Sequence, residues 1–540
     1  MVTGVALGDI LLTAKPRTGP SVAVAVGAKV VSAVAIAAFP WVFWGHYAGD
    51  AEIHLVYAAN AAAGRFFEFN PGEVSPGVTS PGWMLGLAAL FRALPDPSVP
   101  LAVKLISVAG WYAGIALVFV LARRLVGGGV WPWVAAGVAG LLPGSAYNAT
   151  IGMENGLFAL VVLGWVYLAL RWEWFAAAGR VRWGQELRLG ALLGAACWLR
   201  PEGFVLTAVA LGVRVAAQWR RIGLRAAVRQ SVMAAAAAGA LGGAMLGFHG
   251  SQTGFLLPAS GAARRLMAMG GAPGMGPFVL DPKLGLRLAA YLPLTAFGIA
   301  GLWGVLRRRP ATDRAVWGFI AATLGTFFVL YTAVLGCFHT ARYTIFLMPL
   351  LVLAATSAAR RLWTNEQAGR SAKRAVSAVS LLWLGSVFSV EACVRHGLGA
   401  PDELHRAMQA PLRRAAISDT MIEHLGRPVE RPIVLACQEV QIRWWLDERF
   451  VVRSLDGRTD PRLLDYVRDG RYDHLGYLRG RDVRFVTELR NYNHDPTAWS
   501  LQRLSPLQPG QSVRVGDLQF TRLGADQTFR VDHVTAWHAP

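Results

Sequence analysis

The chain has 540 residues, of which 54% are hydrophobic and only 16% are charged. Soluble globular domains carry about 25% charged residues, so this composition excludes an ordinary soluble protein and indicates one that lies in a membrane. The net charge of +20 is high enough for a nucleic-acid-binding protein, but the arginines cluster in short loops between apolar runs and form no basic stripe with interleaved aromatic residues. We therefore expect a multi-pass membrane protein without a nucleic-acid partner.

Eleven apolar runs predict the membrane-spanning helices. A helix needs about 20 residues to cross about 30 Å of hydrocarbon, so the runs at 188–200 and 203–216 are short for that purpose. The first run, 22–45, is too long for the core of a signal peptide and is predicted to be retained as a span. The eleven runs are 22–45, 101–122, 130–147, 154–171, 188–200, 203–216, 230–249, 286–306, 315–336, 343–359 and 375–393.

The distribution of arginine decides the predicted topology, because cytoplasmic loops are rich in Lys and Arg. With a cytoplasmic N-terminus, every dense basic loop falls on the inner side. The apolar segment 82–94 would reach only about 20 Å as a helix, and counting it as a crossing would place most basic loops outside. We therefore predict that 82–94 dips into the outer leaflet, that 46–100 is a large first outer loop, and that the chain crosses the membrane about eleven times.

The C-terminal quarter of the chain differs in character. From about Gly397, aspartates, arginines and prolines become frequent and no further span is predicted. Short apolar runs predict strands at 431–438, 448–456, 481–489 and within 507–524. A helix is predicted at 460–470. The expected fold class is a polytopic α-helical membrane protein, with a membrane domain over 1–396 and a small extracytoplasmic α/β domain over 397–540.

The first outer loop contains the acids best placed for catalysis. On a helix, Asp50, His54 and Tyr57 share one face through their spacing of four and three residues, and apolar residues occupy the other. Such a helix is predicted to lie in the interface plane with its apolar face in lipid. A carboxylate at a membrane surface is a natural general base, which makes Asp50 the first candidate, with Glu52 in the same turn. The alternative is that both acids are solvated residues at a helix end.

Two more charged motifs fall at the outer ends of predicted spans. Glu154 begins a span after a very short outer loop, and an acid that enters hydrocarbon usually faces a protein cavity. The alternative is a helix N-terminal charge favoured by the helix dipole. Arg200 and Glu202 stand two residues apart at a break between short spans. They either pair with each other, bind a phosphate, or order the catalytic acids.

Positive charge is otherwise sparse on the predicted outer side, where four cations stand out. They are Arg264, Arg265, His339 and Arg342. Arginine suits phosphate because its planar donors pair with two oxygens, although the pair at 264–265 has contact with lipid headgroups as its alternative. Carboxylates and cations around one outer cavity suit displacement of a lipid-linked phosphate by a hydroxyl, because a carboxylate takes the proton and the cations stabilise the leaving phosphate.

Five short motifs resemble, in their order along the chain, those of a known family. They are GDAEIHLVYAAN (49–60), FNPGE (69–73), TSPGW (79–83), IGMEN (151–155) and LRPEG (199–203). The set resembles the GT-C fold glycosyltransferases, a membrane class that depends on polyprenyl-phosphate sugars, and most nearly the mycobacterial-type arabinofuranosyltransferases and their bacterial relatives. Each motif alone is a weak signal, whereas five in order indicate the fold strongly.

The resemblance implies that Asp50 is the catalytic acid of the first outer loop and that Glu154 is a second acid of the site. Where the family has an acidic pair, this chain has Gly49 followed by Asp50. Glu52 is therefore predicted to supply the missing carboxylate as a third catalytic residue.

The resemblance also implies that Arg200 and Glu202 are pocket residues, that Arg264 and Arg342 lie where contacts to the donor phosphate are expected, and that the protein lies in a bacterial inner (plasma) membrane. Together with the other outer cations, the residues predicted to contact the donor phosphate are Arg200, Arg264, Arg265, His339 and Arg342. The further pocket residues are Glu202 and, from the face that they share with Asp50, His54 and Tyr57. No metal ligand is assigned, although a divalent cation held through the oxygens of Glu52, Glu154 and Glu202 is left open.

The predicted function is that of an inverting glycosyltransferase. It would move a sugar, with arabinofuranose as the candidate, from a polyprenyl-phosphate donor to an outer-face glycan of the cell envelope. The expected partners are this donor, the acceptor glycan and the lipid bilayer. Because one acid of the family's pair is absent, the alternative is a catalytically silent protein of the same fold that binds or transports a lipid-linked glycan.

Overall fold

A computed structural model provides the coordinates for most of the chain. The described residues are 30, 33–34, 36–175, 182–258, 282–308, 311–331, 345–364, 402–426, 432–437, 440–455, 459–468, 471–487, 507–515, 518–523 and 528–533. The last predicted span, 375–393, lies outside them.

Helices dominate the described part of the chain. In chain order they are α1 (Gly49–Ala62), α2 (Pro81–Ala93), α3 (Val99–Leu125), α4 (Trp131–Leu141), α5 (Pro143–Thr150), α6 (Asn155–Arg171), α7 (Trp183–Leu199), α8 (Glu202–Ile222), α9 (Leu224–Thr253), α10 (Pro282–Arg308), α11 (Ala311–Val329), α12 (Met348–Thr364), α13 (Glu403–His424) and α14 (His474–Gly480). The main bundle packs α7 against α9, α10 against α12 and α3 against α6.

Two helices of the described part are long and apolar enough to cross a membrane. They are Asp96–Leu125, which contains α3, and Leu224–Thr253, which is α9. A third span results if α5 and α6 count as one, although the chain bends by 113° between them. The total of eleven spans stays a prediction.

The structure corrects the prediction of a single span at 130–147. The helix α4 ends at Leu141, and Pro143 then begins the short helix α5. Proline disfavours the helical conformation in the residue before it, and Leu142 is accordingly extended, with φ −68° and ψ 114°. The apolar run is therefore divided into two helices, of which the second leads to the turn that carries Glu154.

The first outer loop contains two packed helices, α1 and α2. Proline occupies the first position of α2 at Pro81, where its missing N–H costs no helical hydrogen bond. The 13 residues of α2 are too few to cross the bilayer, in agreement with the short helix that the sequence predicts at 82–94. Between the helices lies a small hairpin of β1 (Glu68–Asn70) and β2 (Glu73–Val74).

The structure also corrects the prediction that α1 keeps an apolar face in lipid. On that face Val56 is 6% exposed and Ile53 is half-buried, because α2 packs along one side of α1 and a 3₁₀ helix at Val440–Trp444 packs along another. These protein contacts already remove the apolar side chains from water, so α1 is a buried helix.

The C-terminal part contains a six-stranded mixed sheet in the order β4-β3-β7-β10-β9-β8. Its strands are β3 (Ile433–Cys437), β4 (Phe450–Ser454), β7 (Phe485–Thr487), β8 (Ser512–Val515), β9 (Leu518–Arg522) and β10 (Phe529–His533). The strand β3 pairs in parallel with β4 and β7, and the other pairs are antiparallel. The strands β3, β4, β7, β8 and β9 lie within the runs that the sequence predicts, whereas β10 lies beyond them and was not predicted. The domain boundary near 397 and the outer location stay predictions.

The helix predicted at 460–470 takes another form. A 3₁₀ helix at Pro461–Tyr466 is followed by β5 (Val467–Arg468), which pairs with β6 (Arg471–Tyr472). The carboxylate of Asp460 accepts a hydrogen bond from the backbone N–H of Arg462 at 3.1 Å. This short turn, together with the hairpin that follows, ends the helical conformation after about two turns of 3₁₀ helix.

The hairpin of the first outer loop joins the C-terminal sheet through Asn70. Its side-chain amide donates to the carbonyl of Val452, and its side-chain oxygen accepts from the N–H of Val452, both at 2.9 Å. Next to it, Glu73 forms a bidentate ion pair with Arg453. Asn70 therefore acts as an additional strand residue at the edge of β4, which is where the sheet would otherwise have unpaired backbone groups.

We expect Asn70→Ala to destabilise the protein by about 1–3 kcal/mol, because it leaves a buried N–H and a buried carbonyl of Val452 unpaired. The apparent melting temperature of the detergent-solubilised protein measures the effect. Val74→Ala, at an exposed position of the same hairpin, is the control and should melt like the wild type. Equal melting temperatures for Asn70→Ala and wild type would show that the hairpin does not depend on this contact.

Candidate functional site

The side chains of α1 reach three different neighbours, because each residue of an α-helix is turned by about 100° from the one before. Asp50 and His54 are one turn apart and share a face. Glu52 is turned by about 200° from Asp50 and lies on the opposite side. This periodicity separates the two acids that the sequence predicts to act together.

A cluster of buried polar side chains lies where the face of His54 meets the bundle. Its members, called the Arg200 cluster below, are His54, Glu154, Asn155, Arg200, Glu202 and Tyr331. They come from α1, from the turn before α6, from the break between α7 and α8, and from the end of α11. Four segments distant in sequence therefore meet at one point.

The guanidinium of Arg200 is the centre of this cluster. It donates to Glu154 Oε1 at 3.0 Å and to Asn155 Oδ1 at 2.6 Å. It also donates to both carboxylate oxygens of Glu202, at 2.8 and 3.3 Å. The Tyr331 hydroxyl adds a third hydrogen bond to Glu202, at 2.9 Å. Two carboxylates thus share one cation.

The local sequence explains how Arg200 comes to point at these partners. Pro201 disfavours the helical conformation in the residue before it, so Arg200 is extended, with φ −157° and ψ 145°, and α7 ends there. Three residues after Arg200, a Cβ at Gly203 would lie 2.4 Å from the backbone of Ala196. Glycine therefore allows α8 to start directly against α7, which keeps Glu202 beside Arg200.

Glu154 owes its position to a tight turn. Gly152 has a φ of +83°, and a Cβ there would lie 2.6 Å from the ring of Tyr47. Only glycine tolerates both the conformation and the contact. The turn also accepts a hydrogen bond at the Ile151 carbonyl from the N–H of Ala48, at 3.0 Å. The turn that carries Glu154 is thereby fixed to the residues just before α1.

Burial makes the charges of this cluster interdependent. Arg200 is 5% exposed and Glu154 only 1% exposed, so removing one partner would leave an uncompensated buried charge, which costs about 3–5 kcal/mol. With two carboxylates and one guanidinium, the three charges sum to −1. The imidazole of His54 lies 3.9 Å from Glu154 Oε2, which brings α1 to this group of charges.

Glu52 has a separate environment on the other side of α1. Its Oε2 accepts a hydrogen bond from the indole N–H of Trp445 at 3.1 Å. Burial raises the pKa of the Glu52 carboxyl from 4.5 to about 7, while the bond from Trp445 works in the opposite direction. Glu52 is therefore directed to the C-terminal part of the protein and away from Glu154.

Tyr57 is likewise directed away from the cluster. Its hydroxyl forms a hydrogen bond of 2.6 Å with the hydroxyl of Ser75, which donates to the carbonyl of Thr459. Complete burial raises the pKa of the Tyr57 phenol. This residue joins α1 to the hairpin loop and to the C-terminal part, so the structure gives it a packing role and does not bring it to the Arg200 cluster.

The structure thus brings together part of the predicted site. His54, Glu154, Arg200 and Glu202 are in contact, and the half-buried Asp50 lies one helical turn before His54 on the same face. Their catalytic and phosphate-binding roles stay predictions. Four predicted donor contacts lie outside the described residues, namely Arg264, Arg265, His339 and Arg342.

Three residues that form hydrogen bonds with predicted site residues were not themselves predicted from the sequence, namely Asn155, Tyr331 and Trp445. Asn155 stands inside the motif IGMEN and was identifiable from its place beside Glu154. Tyr331 and Trp445 gave no such signal, because their partners Glu202 and Glu52 lie 129 and 393 residues away in the chain.

The carboxylates do not fit the divalent cation that the sequence left open. Glu154 and Glu202 are already paired with Arg200, and Glu52 lies on the other side of α1. Within the described ranges, no group of three or more His, Cys, Asp or Glu side chains is arranged to hold a metal ion.

Comparison with known proteins bears on the fold. No family model and no curated protein sequence matches this chain. Among solved structures, ArnT from Cupriavidus metallidurans in the apo state is 14% identical, with a TM-score of 0.51 over 94% of this chain and 98% of that chain. The archaeal oligosaccharyltransferase AglB from Archaeoglobus fulgidus, in complex with an inhibitory peptide and a dolichol-phosphate, is 11% identical, with a TM-score of 0.54 over 96% and 75%. These neighbours are GT-C fold glycosyltransferases.

The chain has the GT-C fold. This confirms the fold that the five motifs indicate. At identities of 11–14% the likeness concerns the fold alone. The arabinofuranosyltransferase subtype therefore stays a prediction.

We expect Glu52→Gln to stabilise the protein above pH 7 and to have little effect near pH 5. The folded state holds the Glu52 proton with a pKa of about 7 against 4.5 for the free side chain, so folding becomes less favourable as the pH rises from 4.5 to 7. The Gln oxygen still accepts from Trp445 and carries no such cost, so the gain reaches up to about 3 kcal/mol. Melting temperatures of both proteins at pH 5 and pH 8 measure it. If the melting temperatures of Glu52→Gln and the wild type differ by the same amount at pH 5 and pH 8, the raised pKa of Glu52 is contradicted.

Proposed function

We propose that the protein is a GT-C glycosyltransferase that moves a sugar from a polyprenyl-phosphate donor to a hydroxyl of an outer-face glycan, with inversion at the anomeric carbon. The observation that carries this proposal is the Arg200 cluster at the outer ends of three bundle helices, beside the helix that carries Asp50. The dolichol-phosphate bound to the AglB structure supports the class of donor. We further propose that the sugar is arabinofuranose, that the acceptor is a cell-envelope glycan, and that the protein lies in the inner membrane.

In the proposed reaction, Asp50 acts as the general base. Its carboxylate takes the proton of the acceptor hydroxyl, whose oxygen attacks the anomeric carbon. The bond between that carbon and the phosphate oxygen breaks, and the electron pair leaves with the polyprenyl phosphate. One displacement inverts the configuration. The half-buried position of Asp50 suits this role, since the acid remains accessible to a substrate while protein covers its helix.

The Arg200 cluster would act through its charge and its rigidity. A transition state of glycosyl transfer carries positive charge on the sugar ring, and preorganised carboxylates such as Glu154 and Glu202 stabilise such charge. Because Arg200 already donates to Glu154, Asn155 and Glu202, it holds these partners in place. The contacts to the donor phosphate are then proposed for Arg264, Arg265, His339 and Arg342.

The second candidate function is a catalytically silent protein of the same fold that binds or transports a lipid-linked glycan. It is favoured by one specific observation, which is Gly49 in the place of the first acid of the family's pair. The two functions differ in turnover, since the silent protein would bind a polyprenyl-phosphate sugar without releasing polyprenyl phosphate.

We expect Asp50→Asn to lower the rate of sugar transfer by about 10²–10⁴-fold, because the amide cannot accept the proton of the attacking hydroxyl. Release of polyprenyl phosphate from a radiolabelled polyprenyl-phosphate sugar, at matched protein concentration and melting temperature, measures the rate. Asp96→Asn replaces an exposed acid of the same outer loop and should react like the wild type. Wild-type turnover in Asp50→Asn would exclude Asp50 as the base.

A further inference from the structure

The N-terminal turn of α1 is held by the C-terminal part of the protein at two points. The indole N–H of Trp445 donates to Glu52 at 3.1 Å, across 393 residues of sequence. Just before the helix, the backbone N–H of Tyr47 donates to the carboxylate of Glu403 at 2.7 Å, and the N–H of Leu404 donates to the carbonyl of Gly45 at 3.0 Å. The 3₁₀ helix at Val440–Trp444 and the start of α13 thus both contact this turn.

The bond between Trp445 and Glu52 is shielded from water. Glu52 is 8% exposed, and Trp445 packs against the apolar cluster formed by α1, α2 and β3. The titratable groups that face Glu52 are Tyr47 ahead of α1, and Glu403 and Arg406 on α13. A hydrogen bond to a carboxylate in such surroundings is stronger than one in water.

We propose that Trp445 is a positioning residue for the catalytic helix: its N–H holds Glu52, and thereby sets the rotation of the first turn of α1 and the direction of Asp50. This inference rests on the proposed function, in which Asp50 is the base. Glu52 then acts as the attachment point of this contact and not as a second acid in the chemistry.

The geometry of the helix explains why a contact at Glu52 controls Asp50. The two side chains extend from nearly opposite sides of the same turn, so a helix rotation that moves one moves the other by the same angle. Side chains lie about 5–6 Å from the helix axis, so a rotation of about 10° displaces the Asp50 carboxylate by about 1 Å. A misplacement of that size in a reacting group lowers a rate by up to about 10²-fold.

Four variants of the full-length protein test the proposal. Trp445→Phe removes the indole N–H and keeps an aromatic ring, and Glu52→Leu removes the acceptor. Glu52→Gln keeps an oxygen that accepts the bond, so it is the conservative variant. The double variant Trp445→Phe/Glu52→Leu tests whether the two residues act through one contact. Trp219→Phe, at an exposed tryptophan of α8, is the matched control.

We expect Trp445→Phe and Glu52→Leu each to lower kcat by about 10–100-fold, with KM for the polyprenyl-phosphate sugar unchanged within about twofold. The double variant should match either single variant. The kcat of Glu52→Gln should be at least about tenfold higher than that of Glu52→Leu. In hydrogen exchange of the protein without substrate, the amides at 51–54 should exchange at least about tenfold faster in Trp445→Phe, with Trp219→Phe like the wild type.

Two results would overturn the proposal. One is a kcat and an exchange rate in Trp445→Phe equal to those of the wild type. The other is a loss in Glu52→Gln as large as in Glu52→Leu, because Glu52 would then act as an acid in the chemistry. If the wild type itself gives no turnover, the proposed function fails, and the hydrogen exchange of 51–54 alone then decides whether Trp445 positions the helix.

Discussion

The shared pairing of Glu154 and Glu202 with the guanidinium of Arg200 is the interaction on which this end of the helix bundle depends. Each carboxylate belongs to the start of a different helix, and Arg200 belongs to the break between α7 and α8, so one cation fixes three helix ends. A buried carboxylate without a cation is costly, and therefore these ends cannot separate independently. Helix α1 contacts the same group of charges through His54, whose Nε2 lies 3.9 Å from Glu154 Oε2. The direction of Asp50 in turn depends on where α1 lies.

The first outer loop and the C-terminal part complete this arrangement from the other side. Asn70 pairs with the backbone of β4, Tyr57 reaches Ser75, and Trp445 reaches Glu52. Helix α1 is therefore enclosed between the bundle and the sheet, and its side chains are divided among both. This explains why a buried helix can carry acids in its first turn. A helix lying in the membrane interface would instead need one apolar face in contact with lipid. It also makes the C-terminal part a structural component of the candidate site.

The sequence predicted local features of this protein better than long-range ones. Pro81 and the short apolar run after it were enough to predict α2, and strands such as β3 and β4 follow from runs of apolar residues. The break at Pro143 was missed because hydrophobicity alone does not register the backbone effect of a proline. Spacing along α1 placed Asp50, His54 and Tyr57 on one face, but the partner of each side chain depends on segments up to several hundred residues away. The contacts of Trp445 and Tyr331 could for this reason only come from the three-dimensional structure.

The most direct test of this account is an experimental structure of the protein with a non-reactive polyprenyl-phosphate sugar analogue bound. The account predicts the sugar at the outer ends of α6, α7 and α8, with its anomeric carbon on the side of Asp50 and with Arg200 still paired with Glu154 and Glu202. A donor bound at the opposite end of the bundle would contradict it. So would an Arg200 that leaves both carboxylates to contact the phosphate, because the charge pairing would then not be the fixed centre of the site.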